Sequence, residues 1–474
     1  MNNIKSTCTS ETTRARDPLL GTLHLGRHFD ARERILARER TNERTNERTN
    51  GNIHIDAMLA NATTRASVTK GSVATRGKRG DKMMMIKMKT PAVLRSMTTT
   101  TTTVAMGTRR DARVMASPKI SAGGVVFASA VPATAVDLRR VIEDLCAGKD
   151  LSEEEAFAAM EALLDADPAQ ISAFLVLLRA KGETASEMAG LARAMQSRAI
   201  EVNAGDDVLD IVGTGGDDAG TVNISTGSCV LAAAAGAKVA KHGSRSVSSL
   251  CGSGDVLEAL GVEIELGPEA MARCVQEVGV GFMFAPRYHP AMAKVSPVRK
   301  ALKVRTAFNM LGPMLNPARS KYALVGVYST GVQQLMADSL MKLGMKKALV
   351  VHSMGLDELT PAGPADVVEV TPTGTRKYTF EPKDVGVKAC TLEDLRGGTP
   401  DVNAKILRDA LSGEKGPVAE TLILNAGVAM AAAQQAKDVT EGIAMAREAH
   451  ESGKAGKTLN DWIALTQELK RTDK

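Results

Sequence analysis

Three short segments of this 474-residue chain gather the residue types that handle phosphate. The first, Gly213-Thr-Gly-Gly-Asp217-Asp-Ala-Gly220, follows the apolar run Val208 to Val212 and leads through Thr221-Val-Asn-Ile-Ser-Thr226 into a helical pattern. A strand, a glycine turn and a helix start present bare backbone N–H groups and a positive helix end to an anion. The turn is no Walker loop, because no Lys-Ser/Thr follows its glycines. Nor is it G-x-G-x-x-G, because Asp218 stands where the third glycine belongs. Asp217 beside a phosphate calls for a hydroxyl group or a metal ion in company. The plainer reading is a structural glycine turn with an Asx bend.

The second segment, Lys241-His-Gly-Ser-Arg-Ser-Val-Ser-Ser249, precedes Gly252-Ser-Gly-Asp255 and holds two cations, one imidazole and four hydroxyls. It follows the strand-like Ala237 to Ala240, and the carboxyl edge of a parallel sheet is where ligands bind. The alternative is a solvated basic loop. The third, Gly355-Leu-Asp357-Glu358, follows the strand-like Ala348 to Val351. Its adjacent carboxylates suit Mg²⁺, with substrate phosphates and water completing the shell, although an Asp-Glu pair in a loop is commonly just solvated. A fourth stretch runs from His289-Pro-Ala-Met through Arg299 to Asn309-Met-Leu-Gly-Pro313.

The elements that must carry these segments change in texture along the chain. Residues 136–203 read as a small all-helical unit. Ser152 with Glu155 and Thr184 with Glu187 have capping-box spacing, and Asp167-Pro168 opens a helix between them. From residue 204 onward, short apolar strands alternate with helical patterns at Cys229–Ala235, Val256–Leu260 and Gln333–Leu343. Ala323 to Val327 supplies a further strand, and Thr421 to Leu469 reads as helices packed on the body. The fold class is α/β: a small helical domain beside a larger domain, 204–474, with a mostly parallel sheet covered on both faces.

Composition narrows the class. Apolar residues make up 44% and aromatics only 3%, too few for stacking platforms on single-stranded nucleic acid. No apolar run reaches the ~18 residues a membrane span needs. The six cysteines form no C-x-x-C pair and read as reduced core thiols. The net charge of +6 is unevenly shared: residues 1–135 hold 23 Lys/Arg against 10 Asp/Glu, the remainder 37 against 44. The body is mildly acidic, which argues against nucleic acid as a partner. The leader contains a Glu-Arg-Thr-Asn repeat with no apolar face before residue 51, and six consecutive threonines from Thr98. Its basic, acid-poor, Ser/Thr-rich second half reads as a transit peptide to a plastid, the chloroplast stroma in a plant or alga. The alternatives are a plain disordered tail on a cytoplasmic protein, or translated sequence ahead of a later start at Met83 to Met85.

Taken in order, GTGGD, N-x-S-T, KHG-x-RSVSS, G-S-x-DVLEALG, HPAM with a following VRK, FNMLGPMLNPA and GLDE resemble the anthranilate phosphoribosyltransferase family across residues 136–470. The resemblance implies a nucleoside phosphorylase/phosphoribosyltransferase-like architecture and a homodimer formed through the helical part, with helices near 290–308 packing on it. It implies transfer of phosphoribose from phosphoribosyl pyrophosphate (PRPP) to the amine of anthranilate, in tryptophan biosynthesis, with Mg²⁺ as cofactor. Carried over by position, Gly213, Gly216, Asp217, Thr221, Asn223, Ile224, Ser225 and Thr226 line the PRPP site. Lys241, His242, Gly243, Ser244, Arg245, Ser246, Val247, Ser248, Ser249 and Ser253 continue it. Ser225, Asp357 and Glu358 are the implied metal contacts. Gly213 and Arg299 touch anthranilate, Arg299 as a fork on its carboxylate, while His242 and His289 lie along the entry path.

The implied catalytic pair is Lys241, facing the charge that develops on departing pyrophosphate, and Arg299. The sequence departs from the family at Ser244, where Asn is usual, and at Gly254, where Ala is usual. A hydroxyl offers less than an amide's paired donor and acceptor, so the first departure bears on the aromatic acceptor rather than on PRPP. Two other readings are a pyrimidine nucleoside phosphorylase, which needs no Asp-Glu metal pair, and a non-catalytic relative that binds nucleic acid.

Overall fold

A computed structural model describes residues 136–246 and 249–472. The basic leader lies outside the described residues, and so do Val247 and Ser248. The described residues open with four helices: α1 (Leu138–Cys146), α2 (Glu153–Leu163), α3 (Pro168–Lys181) and α4 (Ala185–Ser197). Both capping boxes form, Ser152 with Glu155 and Thr184 with Glu187, satisfying N–H groups that a helix start leaves free. Pro168 stands at the first turn of α3, where its missing N–H costs nothing.

The sheet begins with β1 (Leu209–Gly213), followed by α5 (Ile224–Ala234), β2 (Val239–Gly243), α6 (Ser253–Leu260) and α7 (Pro268–Glu277). Next come β3 (Val280–Phe284), α8 (Met292–Leu302), β4 (Tyr322–Gly326), α9 (Gln333–Lys342) and β5 (Lys347–Ser353). A hairpin of β6 (Ala365–Thr371) and β7 (Gly374–Phe380) precedes α10 (Pro400–Leu411), α11 (Pro417–Ala432), α12 (Val439–Glu451) and α13 (Lys454–Thr472). The order across the sheet is β3-β2-β1-β4-β5-β6-β7, parallel through the first five strands and antiparallel in the last two.

Alternation along the strands feeds two cores. Ile211, Leu324 and Leu349 pack with the α5 side chains, Leu424 and Trp462 on one face. Val212, Val325 and Val350 point to the other, where they share a core with Phe174, Leu178 and Met195 of the helical bundle and Val295 of α8. The helical part is therefore packed directly on the sheet. Among the described residues no helix is long and apolar enough to cross a membrane.

Three strands go beyond the sequence reading. The β3 run Val-Gly-Phe-Met-Phe is short, fully buried and lacks alternation, so periodicity does not separate it from helix. The β6–β7 hairpin carries charged residues on an edge strand, a pattern that also reads as solvated loop.

Candidate active site

From β1 the chain builds outward to β2 and β3, then crosses back to place β4 on the other side of β1. That reversal opens a crevice beyond the carboxyl ends of β1 and β4, where open α/β sheets bind ligands. β1 pairs with β2 at Leu209↔Val239, and Lys241 of β2 ties the two strands further along: its side chain is buried, and Nζ donates to the carbonyl of Ile211 at 2.7 Å.

The glycine turn leaves β1 into this crevice with positive φ at Gly215, Gly216, Asp218 and Gly220. Four contacts hold it. The Thr214 amide donates to Gly326 O at 3.0 Å, and Thr214 Oγ1 accepts from the Tyr328 amide at 3.2 Å. The Gly215 amide donates to Asp357 Oδ2 at 2.5 Å, and Arg305 donates to Gly216 O, also at 2.5 Å. The third segment thus closes onto the first. Gly326 permits this approach, because a Cβ there would occupy the position of the Asp357 carbonyl. Glu358 completes the join by accepting from the Ser225 amide at 3.1 Å, in the first turn of α5.

Three carboxylates gather here, as the Asp357 amide also donates to Asp217 Oδ2 at 3.4 Å. Burial pushes Asp357 well above the usual carboxylate range, and the charge of Asp217 pushes it further. Burial and then Asp357 raise Glu358, against the opposing pull of Lys241. Acidic oxygens packed together with one buried ammonium beneath them are short of positive charge, which a divalent cation supplies. Mg²⁺ takes one or two carboxylates and completes its octahedron with substrate phosphates and water. Asp357, Glu358 and the Ser225 hydroxyl fit such an ion.

Comparison with known proteins bears on this geometry. Residues 205–456 match the family model described as glycosyl transferase family, a/b domain, and residues 139–199 match its helical bundle domain. The anthranilate phosphoribosyltransferase of Chlamydia caviae is 45% identical over 335 residues, covering 70% of this chain and 98% of that protein. The enzyme of that name from Chloroflexus aurantiacus is 46% identical over 337 residues, 70% and 99% of the two chains. This chain belongs to the anthranilate phosphoribosyltransferase family. The crystal structure of the Thermus thermophilus family member superposes with a TM-score of 0.65 at 44% identity, covering 69% of this chain and 99% of that one. The Saccharomyces cerevisiae member in complex with PRPP and Mg gives a TM-score of 0.64 at 28% identity, covering 70% and 98%.

The structure places the residues that the family resemblance implies as follows. The buried Lys241 ammonium donates one hydrogen bond to Ile211 O beneath the turn and puts its field on Glu358. The side chain of Ile224 is core, leaving only its backbone for a ligand. Asn223 is occupied within the protein, donating to Cys251 O at 3.0 Å and accepting from Asn403 at 2.9 Å. Arg245 turns outward to pair with Glu258 and lies over the Phe284 ring at 5.2 Å. Ser246 and Ser249 bond to each other; Ser249 and Ser244 are exposed. Thr226 and Ser253 meet through their hydroxyls at 3.1 Å, tying α5 to α6. Gly243 lies against Phe282 and Ser253, and Thr221 bridges to Arg396.

A second cluster lies beside the first. The rings of His242 and His289 meet edge-on with centroids 5.0 Å apart. Each spends one nitrogen on a backbone carbonyl, His242 Nδ1 on Gly312 O at 3.1 Å and His289 Nε2 on Leu315 O at 2.9 Å. The other nitrogens, His242 Nε2 and His289 Nδ1, are buried with no partner among the described residues. Burial holds both rings neutral, His242 at about 3 and His289 at about 4. On α8, the half-buried guanidinium of Arg299 lies 5.1 Å above Phe308, with no ion-pair partner among the described residues. An unpaired cation on an aromatic wall is suited to an aromatic carboxylate.

The sequence reading did not single out Arg305, Tyr328 or Asp210. Asp210 is buried and accepts from Asn316 at 2.6 Å; Asn316 also donates to Ala240 O, bracing β1 against β2. Burial lifts the Asp210 carboxyl to about 6, against the pull of Lys241 and the Asn316 hydrogen bond. An acid inside an apolar strand, Leu-Asp-Ile-Val, was the available signal.

Proposed function

We propose that this chain transfers the phosphoribosyl group of PRPP to the amine of anthranilate, releasing pyrophosphate, as a step of tryptophan biosynthesis. The observation that carries the reading is the join of Gly215 to Asp357 and of Ser225 to Glu358, which brings an anion turn, a helix start and two carboxylates to one crevice. The bond from C1 of the ribose to the pyrophosphate oxygen breaks, a bond from the aromatic nitrogen to C1 forms, and that nitrogen gives up one proton to water as pyrophosphate leaves. Negative charge gathers on the leaving group, so preorganised donors at that end accelerate the reaction. The amides of Gly216, Asp217 and Gly220 face no acceptor among the described residues and supply such donors.

Mg²⁺ bound through Asp357, Glu358 and Ser225 neutralises charge on the diphosphate. Lys241 offsets the buried carboxylates from below. Arg299 takes the anthranilate carboxylate, and the neutral pair His242 and His289 lets an uncharged aromatic amine pass without a competing cation.

The test is loss of anthranilate fluorescence in the full chain. Consumption that requires PRPP and Mg²⁺ together is expected. Phosphate-driven nucleoside cleavage without Mg²⁺, and no anthranilate consumption, would overturn the reading in favour of a phosphorylase. Two further parts of the reading have separate tests. Homodimerisation through the helical bundle predicts twice the chain mass by light scattering. Plastid import predicts uptake and shortening of the precursor by isolated chloroplasts.

A further inference from the structure

We propose that Arg305 is a positioning residue for phosphoribosyl transfer, fixing the glycine turn in the shape that receives the diphosphate; this rests on the reading of the crevice as the PRPP site. Arg305 follows α8 and reaches across the crevice. Its guanidinium donates to Gly216 O at 2.5 Å, lies 4.2 Å above the Tyr328 ring and stands 4.0 Å from the Asp218 carboxylate. Tyr328 in turn donates its amide to Thr214 Oγ1. Arg305 and Tyr328 therefore grip the turn from two sides, one at Gly216 and one at Thr214.

The consequence follows from peptide geometry. A trans peptide is planar, with its C=O and N–H pointing in opposite directions. Pinning Gly216 O therefore aims the Asp217 N–H away from Arg305, and that N–H has no acceptor among the described residues. Gly215 and Gly216 both sit at positive φ and, as glycines, cross between conformations cheaply. Left unpinned, the Gly216–Asp217 peptide is free to turn over and withdraw its donor. Arg305 acts through the turn, so the expected signature is a loss in PRPP recognition that spares the aromatic substrate.

Steady-state kinetics of the full chain with Mg²⁺ test this in Arg305→Ala, Arg305→Lys, Tyr328→Phe and Tyr328→Ala. For Arg305→Ala the KM for PRPP should rise roughly tenfold, the scale of one charge-assisted hydrogen bond. The KM for anthranilate and the melting temperature should stay close to those of the parent. Arg305→Lys should recover part of the loss, since an ammonium reaches a carbonyl but stacks less well on a ring. Tyr328→Phe should behave as the parent, while Tyr328→Ala should raise the PRPP KM in the same direction as Arg305→Ala. An Arg305→Ala enzyme with unchanged PRPP KM overturns the proposal, as does one in which both KM values rise together with a drop in melting temperature. A parent chain that does not consume anthranilate with PRPP would instead strike at the functional reading beneath it.

Discussion

Asp357 and Gly215 lie far apart in the chain and 2.5 Å apart in space, the carboxylate accepting the amide of the glycine turn. The Asp357 side-chain oxygen is the acceptor that seats the turn. Burial first, and then the charge of Asp217, raise its pKa to about 7. A ligand that carries both negative charge and a divalent cation satisfies both halves of this arrangement at once.

The approach of β5's following loop depends on Gly326. A Cβ there collides with the backbone of Asp357 rather than with a yielding side-chain end. Gly326→Ala is expected to lower stability by about 1–3 kcal/mol, the usual cost of overpacking, and to abolish most turnover. Urea unfolding and the anthranilate assay on the same preparation check both effects. Full activity in a variant of normal stability would show that the loop has another seat.

Arg299 separates the two substrates. Arg299→Lys keeps the charge but loses the planar fork and weakens the stack on Phe308. The KM for anthranilate should rise by about ten- to a hundredfold, the range for a hydrogen bond to a charged group, with the PRPP KM unchanged. Equal rises for both substrates would remove Arg299 from the acceptor site.

Ser244 offers a gain-of-function test. Its side chain is exposed, and its carbonyl already accepts the Gly254 amide at 3.0 Å, so a longer residue meets no wall through that bond. Ser244→Asn restores the family's amide and should lower the anthranilate KM by about two- to tenfold, the worth of one neutral hydrogen bond. No change would mean that the missing amide is met elsewhere in the acceptor site.

Much of this arrangement was legible before the fold. Gly215–Gly216, Asp357–Glu358 and the two capping boxes announce themselves by residue type and local spacing, and the helices that carry them follow from periodicity. The seat of Lys241 was not legible, because a lysine at a strand end looks the same in sequence whether it faces a ligand or bonds to a neighbouring strand; its bond to Ile211 O shows only in the fold. Arg305 was invisible for a related reason: its partners, Gly216 and Tyr328, come from two different strand ends. The β3 strand and the β6–β7 hairpin escaped because one lacks alternation and the other is polar at the edge.

The histidine pair predicts a pH signature. A histidine held below its unfolded value of 6.5 contributes stability that is whole above that pH. It is lost as the pH falls toward the folded values of about 3 and 4, because the unfolded chain takes up the protons first. Asp210, raised from 3.8 to about 6, has the opposite sign: its burial costs stability increasingly as the pH rises through that window. The histidine part is isolated by comparing the parent with a His242→Gln/His289→Gln variant. The gap in melting temperature between them should narrow as the pH falls from 7.5 to 5. A gap independent of pH would mean that the two rings are not held neutral by burial.

The central claim is that the turn at Gly215–Gly216, the start of α5 and the Asp357–Glu358 loop form one seat for a diphosphate and its divalent ion. Calorimetric titration of PRPP into the full chain, with and without Mg²⁺, tests it directly in the parent and in Asp357→Asn/Glu358→Gln. Mg²⁺ should strengthen PRPP binding by at least about tenfold in the parent and by little in the variant. Mg²⁺ enhancement that survives unchanged in the variant would place the ion elsewhere and contradict the account.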